Sequence, residues 1–126
     1  MREIKFRAWN KDKRRMFDVF GLDPNHVIPW RVGEYLDCPH REDVVLMQYT
    51  GLKDKHGKEI YQGDIIKFIS LDGGNPTIIT WVIFENGAFR DFYYGEPLSS
   101  HIDMQHCGNP FSVIGNIYEN PELLED

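Results

Sequence analysis

VVLMQYTGLKDKHGKEIYQGDIIKF, residues 44–68, is the stretch on which the fold turns. Val44, Val45, Leu46, Met47 and Tyr49, then Ile60, Tyr61, Ile65, Ile66 and Phe68, supply β-branched and aromatic side chains that suit a pleated, packed surface, so both runs are expected as strands. Between them Asp54, Lys55, His56, Gly57 and Lys58 offer nothing to bury, and Gly57 takes positive φ at no steric cost, as a reversal requires. Gly63 and Asp64 open the run from Ile65 to Ile69, apolar except at Lys67, which predicts a strand with both faces at least partly covered. An Asp beside Gly at a strand start bonds nearby backbone far more often than it serves as a catalytic acid, so Asp64 is read as a turn residue.

The 126 residues fit one domain, expected to span 1–126 and long enough to bury a core. With 41% hydrophobic and 13% aromatic residues the chain is expected to be folded. No apolar stretch approaches the roughly 20 residues of a membrane span, and Met1 to Lys5 lack the apolar region of a signal peptide. A cytoplasmic protein with no membrane partner is expected, its two cysteines, Cys38 and Cys107, remaining reduced thiols.

Working outward, residues 3–9 alternate: Ile4, Phe6 and Ala8 on one face, Glu3, Lys5 and Arg7 on the other, before Trp9 ends the run. That period of two predicts a half-buried strand whose basic side chains point to solvent. After a polar turn at 10–13, Met16, Phe17, Val19 and Phe20 make a second strand, giving an N-terminal hairpin. Arg2, Lys5, Arg7, Lys11, Lys13, Arg14 and Arg15 crowd this end, while Glu119, Glu122, Glu125 and Asp126 close the chain with no basic residue among them. Net charge is −6, which argues against broad binding to phosphate backbones; the basic cluster is read as a solvated hairpin tip.

The segments KFRAWN (5–10), LMQYTGLKDKHGKEIYQGDIIKF (46–68), VIFENGAF (82–89) and VIGNIYENPELL (113–124) resemble, in order and from end to end, the YopX family of phage and prophage proteins. The resemblance implies a small, self-associating protein encoded in a phage or an integrated prophage. It carries over no enzymatic activity, no cofactor and no catalytic residue.

Elsewhere, Pro24, Pro29, Gly33 and Pro39 make 21–43 an irregular loop with one short strand or turn around 27–36, in which Trp30 and Tyr35 are candidate contact residues weighed against folding back onto the core. Asp72 to Pro76 is a break. From it emerges 77–85, whose Ile78, Ile79, Trp81, Val82, Ile83 and Phe84 crowd both faces and predict a central strand. Asn86 and Gly87 are the pair preferred in a two-residue type I′ hairpin, with 88–94 returning as its partner. After Gly95, residues 96–110 are expected as a loop with a helical turn near 102–105, and 111–118 as a last strand. Asn120, Pro121 and Glu122 have the grammar of a helix start, with too few residues after them for more than a single turn.

Cys38 with His40, and His106 with Cys107, offer two sulfur and two nitrogen donors, but structural zinc sites use pairs separated by two or more residues, and adjacent residues on extended chain point to opposite faces. Loop residues are the better reading, and no metal or other cofactor is expected. A Cys-His nucleophilic pair lacks any supporting signature, and no Walker loop, dinucleotide fingerprint, HExxH or calcium loop occurs.

The expected fold is therefore mainly β: a small antiparallel, partly open barrel of the SH3-like or OB-like kind, with α+β as the alternative. The leading functional expectation is a non-catalytic homo-oligomer that binds a phage or host protein. A second is nucleic-acid binding by the basic hairpin, with Phe6, Trp9 or Phe17 as stacking platforms, opposed by the net acidity and by the burial expected of Phe6. A metal- or Cys/His-dependent enzyme is the third and weakest.

Overall fold

Alternating and apolar runs become nine strands in the computed structural model, which describes residues 4–29, 38–69, 77–103 and 109–125. The chain divides into two compact units, Met1–Tyr49 and Thr50–Asp126, and strand β4 (Val44–Lys53) runs through the boundary. The fold is mainly β and antiparallel, as expected, with two sheets and no closed barrel among the described residues. Nor, among those residues, is any helix long and apolar enough to cross a membrane.

In the first unit, β1 (Phe6–Asn10) lies between β2 (Arg15–Leu22) and β4, and β3 (Val27–Pro29) adds to the far side of β2. Ala8 sits opposite Phe17 on one neighbour and Leu46 on the other, and with Val19, Val27 and Val44 it forms the core, against which Phe6, Phe17 and Leu46 pack. The expected one-sided alternation fails here. Trp9 and Met47, on the opposite face of their strands, are also buried, so β1 and β4 carry buried side chains on both faces. For the same reason Arg7 is half-buried instead of pointing to solvent, and Lys5 lays its Nζ 5.1 Å from the centre of the Tyr49 ring. Ile4, expected beside Phe6 and Ala8, precedes the strand and is 70% exposed. The hairpin tip forms because Asn10 Oδ1 accepts the N–H groups of Asp12 (3.0 Å) and Lys13 (3.1 Å). The short strand expected within 27–36 is β3, and 38–41 return beside it through Val27 N–H to Pro39 O and Arg41 N–H to Asn25 O, both 2.9 Å.

The second unit opens with the end of β4, which pairs with β5 (Glu59–Tyr61). Residues 60–68 are not one strand. The chain turns at Gln62 and Gly63, and β6 (Asp64–Ile69) leaves for another sheet, ordered β8-β7-β6-β9, in which it is flanked by β7 (Thr77–Glu85) and β9 (Ser112–Asn116). Asp64 holds that turn, its Oδ2 accepting Tyr61 N–H at 2.7 Å, as read from its neighbouring glycine. Ile65 and Ile66 are both fully buried, so the two-faced covering expected of this run holds for its first half; toward the end Ile69 is 60% exposed.

Asn86 and Gly87, both at positive φ (51° and 79°), join β7 to β8 (Ala88–Asp91) in the expected hairpin. Ile60, Ile66, Phe68, Ile78, Val82, Phe89, Leu98 and Phe111 form this unit's core. Leu98 enters it from a one-turn helix, α1 (Leu98–Asp103), which begins earlier than the helical turn expected at 102–105. The C-terminal turn (Pro121–Leu124) is 3-10, and Asn120 gives it no side-chain cap. Its Oδ1 turns back instead to accept Asn116 N–H at 3.2 Å.

That reversed amide leaves no room above β9. A Cβ at Gly115 would stand 2.6 Å from Asn120 Oδ1 and 3.0 Å from its Cβ, so Gly115→Ala must displace the whole Asn120 side chain. We expect it to cost about 1–3 kcal/mol in urea unfolding and to release the C-terminal turn to faster amide exchange; a loss below about 0.5 kcal/mol would show the turn to be loosely held.

Candidate functional site

Pairing register fixes which side chains share each face of the second sheet. Ile66 stands opposite Thr80 and Phe68 opposite Ile78 on the core side; Ile65 opposite Trp81, Lys67 opposite Ile79 and Ile69 opposite Thr77 lie on the other. The strand predicted to be crowded on both faces is thus buried on one and open on the other. Ile79 is exposed, while Trp81 and Ile83 are half-buried. Beyond β8 the chain presents three successive aromatics, of which Phe92 is 54% and Tyr93 63% exposed. Phe92 stacks on Trp81 with centroids 4.1 Å apart and planes 14° from parallel, extending the open face with a second ring.

These rings are held by a built turn. Asp91, fully buried, accepts Tyr94 N–H through Oδ2 (2.6 Å) and Glu96 N–H through Oδ1 (3.3 Å), Thr80 Oγ1 accepts Tyr93 N–H (3.0 Å), and Trp81 O accepts Phe92 N–H (2.9 Å). The sequence reading extended the strand through 94 and so missed the turn. The signal was Asp91 four residues before Gly95, an acceptor followed by a residue free to reverse.

Asp54 is the other group the sequence misplaced. It is 5% exposed, not an exposed loop residue, because its carboxylate is the centre of the β4–β5 turn: Oδ1 accepts His56 N–H (2.8 Å) and Lys58 N–H (2.9 Å), and Oδ2 accepts Val113 N–H (2.9 Å) from β9. Burial pushes its pKa up, but the amides of Val113, Lys58 and His56, helped by the His56 charge, outweigh that and hold the carboxyl below its ordinary value. Among the described residues the buried carboxylates, Asp54, Asp64 and Asp91, all face backbone N–H groups, as a turn lock does.

A cleft of about 640 Å³ opens where β6 ends and β7 begins, its polar lining including Lys55, His56, Lys67, Thr77, Asn109 and Ser112, with no carboxylate among its described lining residues. Asn109 is fixed there by donating to Lys53 O and by accepting Phe111 N–H at 2.9 Å.

Of the residues weighed as metal ligands, His106 and Cys107 lie outside the described residues, as do Trp30 and Tyr35. Cys38 is half-buried, and His40 meets a residue the sequence did not pair with it: the His26 ring, 4.6 Å away across an isolated bridge. His26 Nδ1 is 3.2 Å from Asp23 Oδ1. Among the described residues no three His, Cys, Asp or Glu side chains converge as metal ligands would. Phe6 and Phe17 pack on the first unit's core and Trp9 is buried, with the Arg14 guanidinium 5.9 Å from its ring centre, so none of the three is an open platform beside the basic tip.

The family model of the YopX protein matches residues 5–125. The chain belongs to the YopX family. Its fold is also similar to the crystal structure of protein EF1440 from Enterococcus faecalis, with a TM-score of 0.73 and 27% identity over 99% of this chain and 100% of that one. No curated protein matches it. In this YopX chain, the segments that carry the resemblance hold Asp54, Asp64, Gly115 and Asn120, the residues that fix turns and strand ends. Trp81 and the three aromatics after Asp91 lie outside those segments.

Proposed function

We propose that this YopX protein is a non-catalytic accessory protein of a phage or prophage, acting in the cytoplasm, that self-associates through the open face of β6, β7 and the turn after β8. The observation that carries the reading is that face itself, where Ile69, Ile79, Trp81, Ile83, Phe92 and Tyr93 leave apolar surface in water on a sheet whose other side is a packed core. Contiguous apolar surface of this kind marks contact sites on soluble proteins. The non-catalytic part is supported by the buried carboxylates Asp54, Asp64 and Asp91, whose oxygens accept backbone N–H groups. A phage or host protein would dock on the same face or on surface left open by the assembly.

Solution mass by light scattering, at low and high salt, tests the reading. An oligomer is expected at both, because apolar contact is not screened by ions. Ile79→Asp is expected to yield a folded monomer, since the substituted position is already exposed and its burial in a contact would strand a charge. A wild-type monomer at both salts would overturn self-association, and an Ile79→Asp oligomer would overturn the choice of face.

A further inference from the structure

Charges of opposite sign gather near the two ends of β6. At the Asp64 end of β6, Ile117 N–H bonds Gly63 O (2.9 Å), and the turn Pro121–Leu124 lies against β7, carrying exposed Glu122, Leu123 and Glu125. At the Ile69 end, about six residues or ~20 Å away along the strand, lies the cleft with Lys55, His56 and Lys67. Among the described residues Lys55, Lys67, Glu122 and Glu125 make no ion pair, and the two pairs are opposite in sign. Glu119, by contrast, is engaged within the chain, accepting the Asn116 side-chain amide at 2.7 Å.

We infer that the acidic C-terminal turn of one copy seats in the Lys55–Lys67 cleft of another, with Glu122 and Glu125 meeting the two ammonium groups and Leu123 covering the apolar surface beside Ile69. The inference rests on the proposed self-association and names the charged contact that sets its register. Two copies laid face to face with their strands antiparallel bring acidic end to basic end twice, as a two-fold axis requires, whereas parallel strands would set like charges against each other. The basic partner is thus not the N-terminal hairpin tip, although more cations gather there.

Charge exchange across the contact is the test, read as the dissociation constant of the oligomer in a dilution series. Lys55→Glu with Lys67→Glu is expected to weaken association about tenfold or more, and Glu122→Lys with Glu125→Lys to do the same. Mixing the two variants, so that each reversed cleft meets a reversed turn, is expected to restore association to within about threefold of wild type. All four positions are exposed, so circular dichroism should confirm unchanged folds. If neither reversal weakens association while Ile79→Asp still dissociates the protein, the inference fails and the proposed face stands. Failure of the mixture to recover overturns it equally, because the charges would then act by their sum and not by meeting. A wild-type monomer would overturn both.

Discussion

Replacing Asp54 by Ala is expected to lower the unfolding free energy by about 3–4 kcal/mol, because three backbone N–H groups lose a charged acceptor at once and hydrogen bonds to charged groups contribute roughly 1.5–3 kcal/mol each without full additivity. Two of the donors close the β4–β5 turn and the third, Val113, belongs to β9. Asp54→Asn separates these effects. Its carbonyl can keep His56 and Lys58 while its NH₂ faces the Val113 N–H, so about half the loss is expected, with rapid amide exchange confined to Val113 and its neighbours. A loss under 1 kcal/mol for Asp54→Ala in urea unfolding would show that water replaces the carboxylate freely. The same group sets an acid limit. Since its folded pKa lies below the ordinary 3.8, it contributes stability that is fully present above that value and is lost as pH falls through the folded one. Wild-type stability should therefore fall more steeply below about pH 4 than that of Asp54→Asn, which has no proton to take up there.

Phe111→Ala should cost about 3–5 kcal/mol, the range for emptying a fully buried aromatic site. The ring has no exposed surface and meets Phe68 edge to face, centroids 5.4 Å apart and planes at 85°. Its backbone is pinned on both sides: its N–H donates to Asn109 Oδ1 and its O accepts Lys55 N–H, both at 2.9 Å. The site therefore has little freedom to collapse around a smaller side chain. Phe111→Leu keeps most of the volume and should cost about 1.5 kcal/mol; equal losses from the two substitutions would mean that shape, and not the cavity, dominates.

What the sequence disclosed and what it hid follow from the range of the interactions. The β7–β8 hairpin was legible because Asn86 and Gly87 state their own backbone conformation. Asp64 was legible because its acceptor role reaches only to Tyr61. Asp54 was not, since KDKHGK reads as a solvated turn and the Val113 amide that buries its carboxylate lies 59 residues away. Trp9 was read as ending a half-buried strand because a period of two reports one buried face and cannot report that the other is covered as well. The open face of β7 was hidden in the opposite sense: an almost continuous apolar run suggests cover on both sides, whichever partner supplies it. Among the candidate ligands, His40 meets His26 across a bridge that no spacing announces.

The five-stranded sheet ends in two very short strands, β3 and β5, each three residues long, and β3 closes on Pro29, which has no N–H to offer a newcomer. Such margins give an incoming chain almost no ladder to extend. Strand-by-strand growth into amyloid-like fibres is disfavoured at these two rims of the five-stranded sheet.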